Sequence, residues 1–309
     1  MTEPSPPAAV PAHVAFLGLG VMGAPMARHL LAAGHSVCAF NRTAARAEQW
    51  LATLPEALAN RATLAPTPQA AASGAAVVCL CVGNDDDVRA VVGAGTAGDD
   101  GALAGMAPGT VLIDHTTASA SVAREVAERA AALGIAFVDA PVSGGQAGAE
   151  AGALTIMCGA SEADFASVEG FLAAYGARVR RMGPVGAGQL TKMVNQICIA
   201  GLLQGLAEGV AFAERAQLDV DAVFEVISAG AAQSWQLDNR AGTMHARQFD
   251  FGFAVDWMRK DLAIALAEAQ RNGARLPVTA LVDQFYADVQ VLGGGRQDTS
   301  SLVRRLDQR

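Results

Sequence analysis

Aromatic residues make up 5 % of this 309-residue chain and charged residues 17 %, against 52 % hydrophobic. That scarcity of charge excludes a disordered chain. It leaves a well-buried globular protein, long enough for about two domains. With few aromatics and much alanine and glycine, helices can pack closely. No cluster of Lys and Arg occurs and the formal net charge is −8, so no nucleic-acid partner is expected. The five cysteines, Cys38, Cys79, Cys81, Cys158 and Cys198, are odd in number and scattered through apolar runs. They read as free buried thiols in a reducing compartment. Cys79 and Cys81 alternate along a predicted strand with no further ligand set beside them, so no metal is expected. No apolar run reaches the roughly 20 residues of a membrane span. The opening stretch MTEPSPPAAVP is Pro-rich and lacks the basic and apolar parts of a signal peptide. The expectation is a cytoplasmic protein without a membrane partner, residues 1–12 forming a flexible tail.

What is present is alternation. Short apolar runs at 14–17, 36–40, 76–82, 110–114 and 135–139 read as strands, and helical patterns at 25–33, up to Trp50, and at 119–133 separate them. Strand–helix alternation predicts a mostly parallel sheet covered on both faces. Two more strand-like runs follow at 153–158 and 178–182. From Gln189 to Arg309 the periodicity is helical, with no convincing strand. A boundary is therefore expected in the GPVGAG stretch, giving an α/β domain over 13–183 and an all-helical domain over 184–309.

The first run ends in Gly18-Leu19-Gly20-Val21-Met22-Gly23. A G-x-G-x-x-G pattern carries weight when it follows a strand and opens a helix, as here. Gly18 then allows the tight turn, Gly20 the approach of a pyrophosphate, and Gly23 close helix packing. The helix N-terminus supplies N–H groups and positive potential. The second run ends in Asn41-Arg42-Thr43, about 20 residues on, where NAD-binding folds place an acid for the ribose 2′-OH. No acid stands there. Arg42 offers a charged fork, and Asn41 and Thr43 neutral hydrogen bonds, to a 2′-phosphate. NADP is therefore expected in preference to NAD, unless Arg42 is merely a solvated loop residue.

Two further stretches carry chemistry. In Asp139-Ala-Pro-Val-Ser-Gly-Gly, the small residues Ser143, Gly144 and Gly145 follow a strand end. They form either an anion-binding concavity of backbone N–H groups, suited to a carboxylate, or a plain tight turn. From Leu190 the chain reads as an apolar helix, interrupted on one side by Lys192, Asn195 and Gln196. These residues line a wet cleft, or the helix is half covered and Lys192 snorkels to water. A Lys held near a nicotinamide would have a lowered pKa and could exchange a proton with a carbonyl oxygen, with Asn195 holding that oxygen or orienting the lysine. Lys260 and Asp261, early in a later helical pattern, remain unassigned from the residues alone.

Together these segments resemble the β-hydroxyacid dehydrogenase family. The resemblance runs from about His13 to Leu306 and rests on four ordered motifs: GLGVMGAPMARHL, DAPVSGGQAGAEAGALTIMCGA, GAGQLTKMVNQ and KDLAIAL. It implies a Rossmann-type N-terminal domain and an all-α C-terminal domain joined by a long helix. It implies Lys192 as catalytic acid/base, Asn195 beside the substrate, and Ser143, Gly144 and Gly145 on the substrate carboxylate. It puts Lys260 and Thr117 near the cofactor and Val82 and Gly83 where backbone passes it; the segment 233–238 matches no family member closely, and Trp235 there is expected to shape the pocket. It implies a small carboxylate-bearing aldehyde or hydroxy acid as substrate, and a homodimer or homotetramer. Imine reductases share the architecture but usually lack a lysine at this position, and a non-catalytic NADP-binding module would have no need of one. The chain departs from the family where it reads CLCVGNDDDV, and at His115, expected to be a strand-end residue meeting solvent or another side chain.

Overall fold

The computed structural model describes residues 10–93 and 100–307. The expectation for residues 1–9 lies outside the described residues. Two compact units divide the chain, residues 1–192 and 193–309.

In the first unit strands and helices alternate: β1 (His13–Leu17), α1 (Gly23–Ala32), β2 (Ser36–Phe40), α2 (Ala44–Ala52), α3 (Glu56–Ala59), β3 (Ala62–Leu64), α4 (Pro68–Ala72) and β4 (Val77–Leu80). There follow α5 (Asp85–Val92), α6 (Ala102–Gly105), β5 (Val111–Asp114), α7 (Ala120–Ala132) and β6 (Ala136–Asp139). The sheet order is β3-β2-β1-β4-β5-β6, all parallel. The chain winds outward from β1 and then starts again at β4. That reversal opens a crevice beyond the carboxyl ends of β1 and β4, the usual ligand position of such sheets. Both faces are buried, which is why these strands read as continuous apolar runs. Val14 and Phe16 pack with Met26, Leu30 and Trp50 on one face. Ala15 and Leu17 pack with Val88, Val122 and Val126 on the other.

The sheet then changes direction. β7 (Val142–Ser143), α8 (Gly145–Glu150), β8 (Leu154–Gly159), α9 (Glu162–Leu172) and β9 (Gly176–Gly183) complete it. β8 runs antiparallel to β6 and β7, and β9 returns parallel to β8. The six-residue α8 is too short for a parallel crossover, so the chain doubles back. The three-residue β3 and two-residue β7 were not expected from the sequence; neither is long enough to show a period.

The second unit is helical. α10 (Ala187–Arg215) enters it, followed by α11 (Val220–Ser228), α12 (Trp235–His245), α13 (Val255–Asn272), α14 (Pro277–Val291) and a 3₁₀ segment, Thr299–Leu306. α10 begins three residues before the expected Leu190. By length and composition alone it could cross a membrane, which corrects the expectation that no segment would. Its residues Ala200, Leu203, Ala207 and Val210 instead pack with Met258, Leu262 and Tyr286, as a core helix does. The helix is half covered, but not as the sequence suggested. Lys192 and Gln196 are buried, whereas Val194, Leu202 and Phe212 are exposed. Cys198 lies on the exposed row too, correcting its assignment as a buried thiol; Cys38, Cys79 and Cys158 are buried and Cys81 half-buried.

The close contact of α1 with β1 depends on Gly23. A Cβ there would overlap the Gly18 carbonyl oxygen and press on the Phe16 ring. Gly23→Ala should cost about 1–3 kcal/mol as the helix is forced outward. A lower urea midpoint at unchanged m-value would show it; an unchanged midpoint would remove the packing role.

Candidate active site

The glycine-rich turn is built as its spacing requires. Gly18 has φ +99°, and a Cβ would collide with the Cys81 carbonyl, where the turn crosses the end of β4. No atom lies within 4 Å of where a Gly20 Cβ would be, so a ligand can approach the backbone there. Met22 precedes the first turn of α1, which carries no acid to cancel its N-terminal positive potential. Leu19 is buried and Val21 exposed. An open glycine, an uncompensated helix start and a turn held against β4 fit a pyrophosphate.

The end of β2 is cross-braced to the glycine turn. The Asn41 carboxamide braces the loop: Oδ1 accepts the Leu19 N–H at 3.0 Å and Nδ2 donates to the Thr43 carbonyl at 2.9 Å. Its observed role is to fix the glycine turn against β2. Thr43 starts α2 without a side-chain cap. Arg42 is exposed and pairs with Asp87 of α5, Nη1 to Oδ1 at 2.7 Å.

At β4 and β5 the main chain is again cross-braced. The Val82 N–H donates to Thr116 Oγ1 at 3.0 Å, and Gly83 follows it, half-buried. Thr117 is half-buried beside Ala118, whose N–H donates to Gln189. Asp114 is fully buried. One oxygen accepts the Thr116 N–H at 2.8 Å, and Oδ2 has no partner among the described residues. Burial pushes its carboxyl up to about 7, against the pull of Thr116. His115 does not reach solvent. It is buried between the Ala140 carbonyl and the Tyr175 hydroxyl, each at 2.8 Å. Burial lowers its pKa to about 4 and keeps the ring neutral.

The opening of α10 is anchored from β6. Asp139 Oδ1 accepts the Gly186 N–H at 2.7 Å and Oδ2 the Gln189 N–H at 2.9 Å. Gln189 reaches on to β5: Oε1 accepts the Ala118 N–H, and Nε2 donates to the Thr116 carbonyl at 2.7 Å. Lys192 follows three residues later, 8 % exposed. Ser143 lies on β7, half-buried, and Gly144 and Gly145 are exposed at φ +132° and +61° as α8 begins. Asp139 and Gln189 were not identified from the sequence. Asp139 opens the DAPVSGG motif and Gln189 sits in GAGQ, but their partners are distant in the chain.

In the second unit, Asn195 Nδ2 donates to Gln196 Oε1 at 2.8 Å, and Gln196 Nε2 to Asp261 Oδ2 at 2.6 Å. Lys260 Nζ lies 3.0 Å from the other Asp261 oxygen. The KMVNQ and KDL motifs are thus joined by a buried acid. Trp235 is exposed at the start of α12, with the Arg240 guanidinium over its ring at 4.9 Å. A groove of about 380 Å³ between α10, α11 and α12, lined by Gly201, Gly205 and Phe224, is apolar and holds no titratable group.

Comparison with known proteins agrees with this construction. Residues 13–183 match the NAD binding domain of 6-phosphogluconate dehydrogenase, and residues 186–306 the NAD-binding of NADP-dependent 3-hydroxyisobutyrate dehydrogenase. The chain belongs to the β-hydroxyacid dehydrogenase family. It is 59 % identical over 296 residues to an uncharacterized oxidoreductase of Shewanella frigidimarina, covering 96 % of this chain and 98 % of that one. It is 36 % identical to the 3-hydroxyisobutyrate dehydrogenase of Pseudomonas aeruginosa, over 89 % of this chain and 91 % of that one. The structure of 3-hydroxyisobutyrate dehydrogenase from Mycobacterium tuberculosis with L-serine superposes with a TM-score of 0.85 at 29 % identity, covering 97 % of this chain and all of that one. This dehydrogenase is therefore an NAD(P)-dependent oxidoreductase with a Rossmann-type first unit and a helical second one.

The buried acids of this dehydrogenase have a titration signature. Asp114 has a folded pKa near 7, above its ordinary 3.8, so folding favours its neutral form. Its contribution is full below about pH 4 and is lost as pH rises to about 7. His115 acts oppositely, being depressed to about 4, and loses stability as pH falls below its ordinary 6.5. Asp114→Asn keeps the acceptor for Thr116 and leaves His115 in place. Its melting temperature should gain on the wild type by several degrees between pH 4 and 7; a difference independent of pH would contradict the burial account.

Proposed function

We propose that this chain is an NADP(H)-dependent dehydrogenase interconverting a small carboxylate-bearing semialdehyde or keto acid with its hydroxy acid, with Lys192 as the acid/base. One observation carries the proposal. Of the 22 Lys and Arg residues, only two are lysines, Lys192 and Lys260. Everywhere else the chain meets its need for positive charge with arginine, which holds its proton at any pH a protein survives. A lysine can lose its proton, and burial favours that loss. Lys192 is buried at the head of α10. Relatives named for hydroxy acids support the substrate class.

The residues divide the work as follows. The Ser143 hydroxyl and the Gly144 and Gly145 N–H groups receive the substrate carboxylate. The nicotinamide, when bound, supplies or takes the hydride. In reduction Lys192 gives a proton from Nζ to the substrate oxygen; in oxidation neutral Nζ accepts it. Asn195, one turn along α10, serves the same oxygen. Lys260, Thr117, Val82 and Gly83 keep the cofactor roles implied by the family resemblance, and Trp235 shapes the substrate pocket. Arg42 takes the 2′-phosphate, which favours NADP. Orientation and preorganised charge account for most of the rate.

The test separates charge from proton transfer. Lys192→Arg keeps the charge and Lys192→Met removes it. Both should lower turnover of succinic semialdehyde, glyoxylate or tartronate semialdehyde about 10²–10⁴-fold, with NADPH affinity retained. Turnover near the wild type in Lys192→Arg would rule out the acid/base role.

The same reading makes the protein a homodimer or homotetramer that covers the exposed apolar row of Val194, Leu202 and Phe212. Light scattering should give at least twice the 31.5 kDa chain mass, and Phe212→Glu should shift it downward. A monomeric wild type would dismiss this.

A further inference from the structure

The end of β2 lacks the acid that would read an NAD ribose, yet the folded chain brings a carboxylate to the same place from another element. Asp87 lies in the first turn of the eight-residue α5, after β4. Its Oδ1 is 2.7 Å from Nη1 of Arg42, whose side chain is 83 % exposed against 23 % for Asp87. The acid is the more buried partner and the arginine the more exposed one. The Asp87 N–H is held by Asn84 Oδ1 at 2.9 Å, which caps the helix. The neighbouring acids are engaged elsewhere: Asp85 accepts from the Ser119 N–H and hydroxyl, and Asp86 pairs with Arg89. Of the three consecutive acids, Asp87 is the one that holds Arg42.

We propose that Asp87 is a specificity-determining residue of the adenine-ribose subsite, a carboxylate that holds Arg42 in place of a 2′-phosphate and so narrows the preference for NADPH over NADH. The inference rests on the reading of Arg42 as the phosphate ligand. A 2′-phosphate must draw Arg42 from Asp87 and then sit close to that carboxylate, a like charge. NADH brings a neutral diol. It has no need of the guanidinium, and its hydroxyl can donate to a carboxylate. One side chain therefore penalises one cofactor and tolerates the other. The device belongs to this chain's NDDD segment, at the point where it departs from the common family pattern.

The experiment is a fluorescence titration of the whole protein with NADPH and NADH, in wild type, Asp87→Asn and Arg42→Ala. Arg42→Ala should weaken NADPH roughly tenfold or more, the size of a charge-assisted contact, and leave NADH nearly unchanged. Asp87→Asn should tighten NADPH about threefold to fivefold, the amount a surface ion pair can withhold, without tightening NADH. The melting temperature without cofactor should stay within about 1 °C of wild type, because so exposed a pair contributes little to folding. If Arg42→Ala weakens NADPH but Asp87→Asn changes neither cofactor, or tightens both equally, Asp87 does not discriminate and the proposal falls alone. If Arg42→Ala leaves NADPH binding intact, the phosphate reading itself is wrong and the proposal falls with it.

Discussion

A buried carboxylate at the end of β6 fixes the opening of α10. Asp139 ends β6 and accepts N–H groups from Gly186 and Gln189. Those donors belong to the opening of a 29-residue helix, where no intrahelical carbonyl is available to them. Negative charge at that end also meets the positive end of the macrodipole. Burial raises the Asp139 pKa to about 6 in spite of these donors, so the anion is held against a real desolvation cost. The approach is close enough that Gly188 admits no side chain: a Cβ would overlap the Met157 carbonyl oxygen and press on Asp139. Gln189 then ties the same turn to the main chain at Thr116 and Ala118. With the first turn bound to two strands, the direction of Lys192, less than one turn further on, follows from helix geometry.

The division of labour between arginine and lysine follows the same physics. Most ion pairs among the described residues use arginine. Arg247 meets Glu214 through two nitrogens and reaches Asp307, and Arg259 meets Asp283 in the same two-pronged way. Such geometry suits a planar guanidinium and wastes a lysine. The two lysines lie in segments that the family motifs mark, and Lys260 is tied through Asp261 and Gln196 to the motif that carries Lys192.

How much of this was legible in the sequence depended on the range of the interaction. The turn at Gly18 and the helix after it could be read because their cause is local: a strand, three small residues and a helix start within eleven positions. The helical stretch 119–133 was legible for the same reason, and it forms α7 at Ala120–Ala132. The domain expectation rested on the loss of strand-like apolar runs and the onset of helical periodicity, a local signal. His115 was not legible in this way. Its partner Tyr175 is 60 residues away, and nothing near His115 announces a buried hydroxyl. The Arg42–Asp87 pair spans 45 residues, from the end of β2 to the first turn of α5, so an acid absent from one could not be sought in the other. The direction of β8 escaped for a third reason: a strand's period says nothing about which way it runs.

The main-chain donors along the carboxyl edge of the sheet show what the fold leaves open for chemistry. Gly18 N–H is taken by the Phe40 carbonyl, Leu19 by Asn41, Val82 by Thr116, and Ala118 by Gln189. Each loop is thus satisfied by its neighbour, as buried amides must be. The hydrogen-bond ladder of α1 begins with Ala24 donating to Gly20, and that of α8 with Gly148 donating to Gly144. The N–H groups just before those points have no intrahelical acceptor. They sit in two glycine-rich segments, one after β1 and one after β7, where missing side chains let an anion come near. Among the described residues, these two glycine-rich stretches present backbone N–H groups at the carboxyl edge with no side chain in the way. In the proposed function a dinucleotide pyrophosphate would use the first and a substrate carboxylate the second.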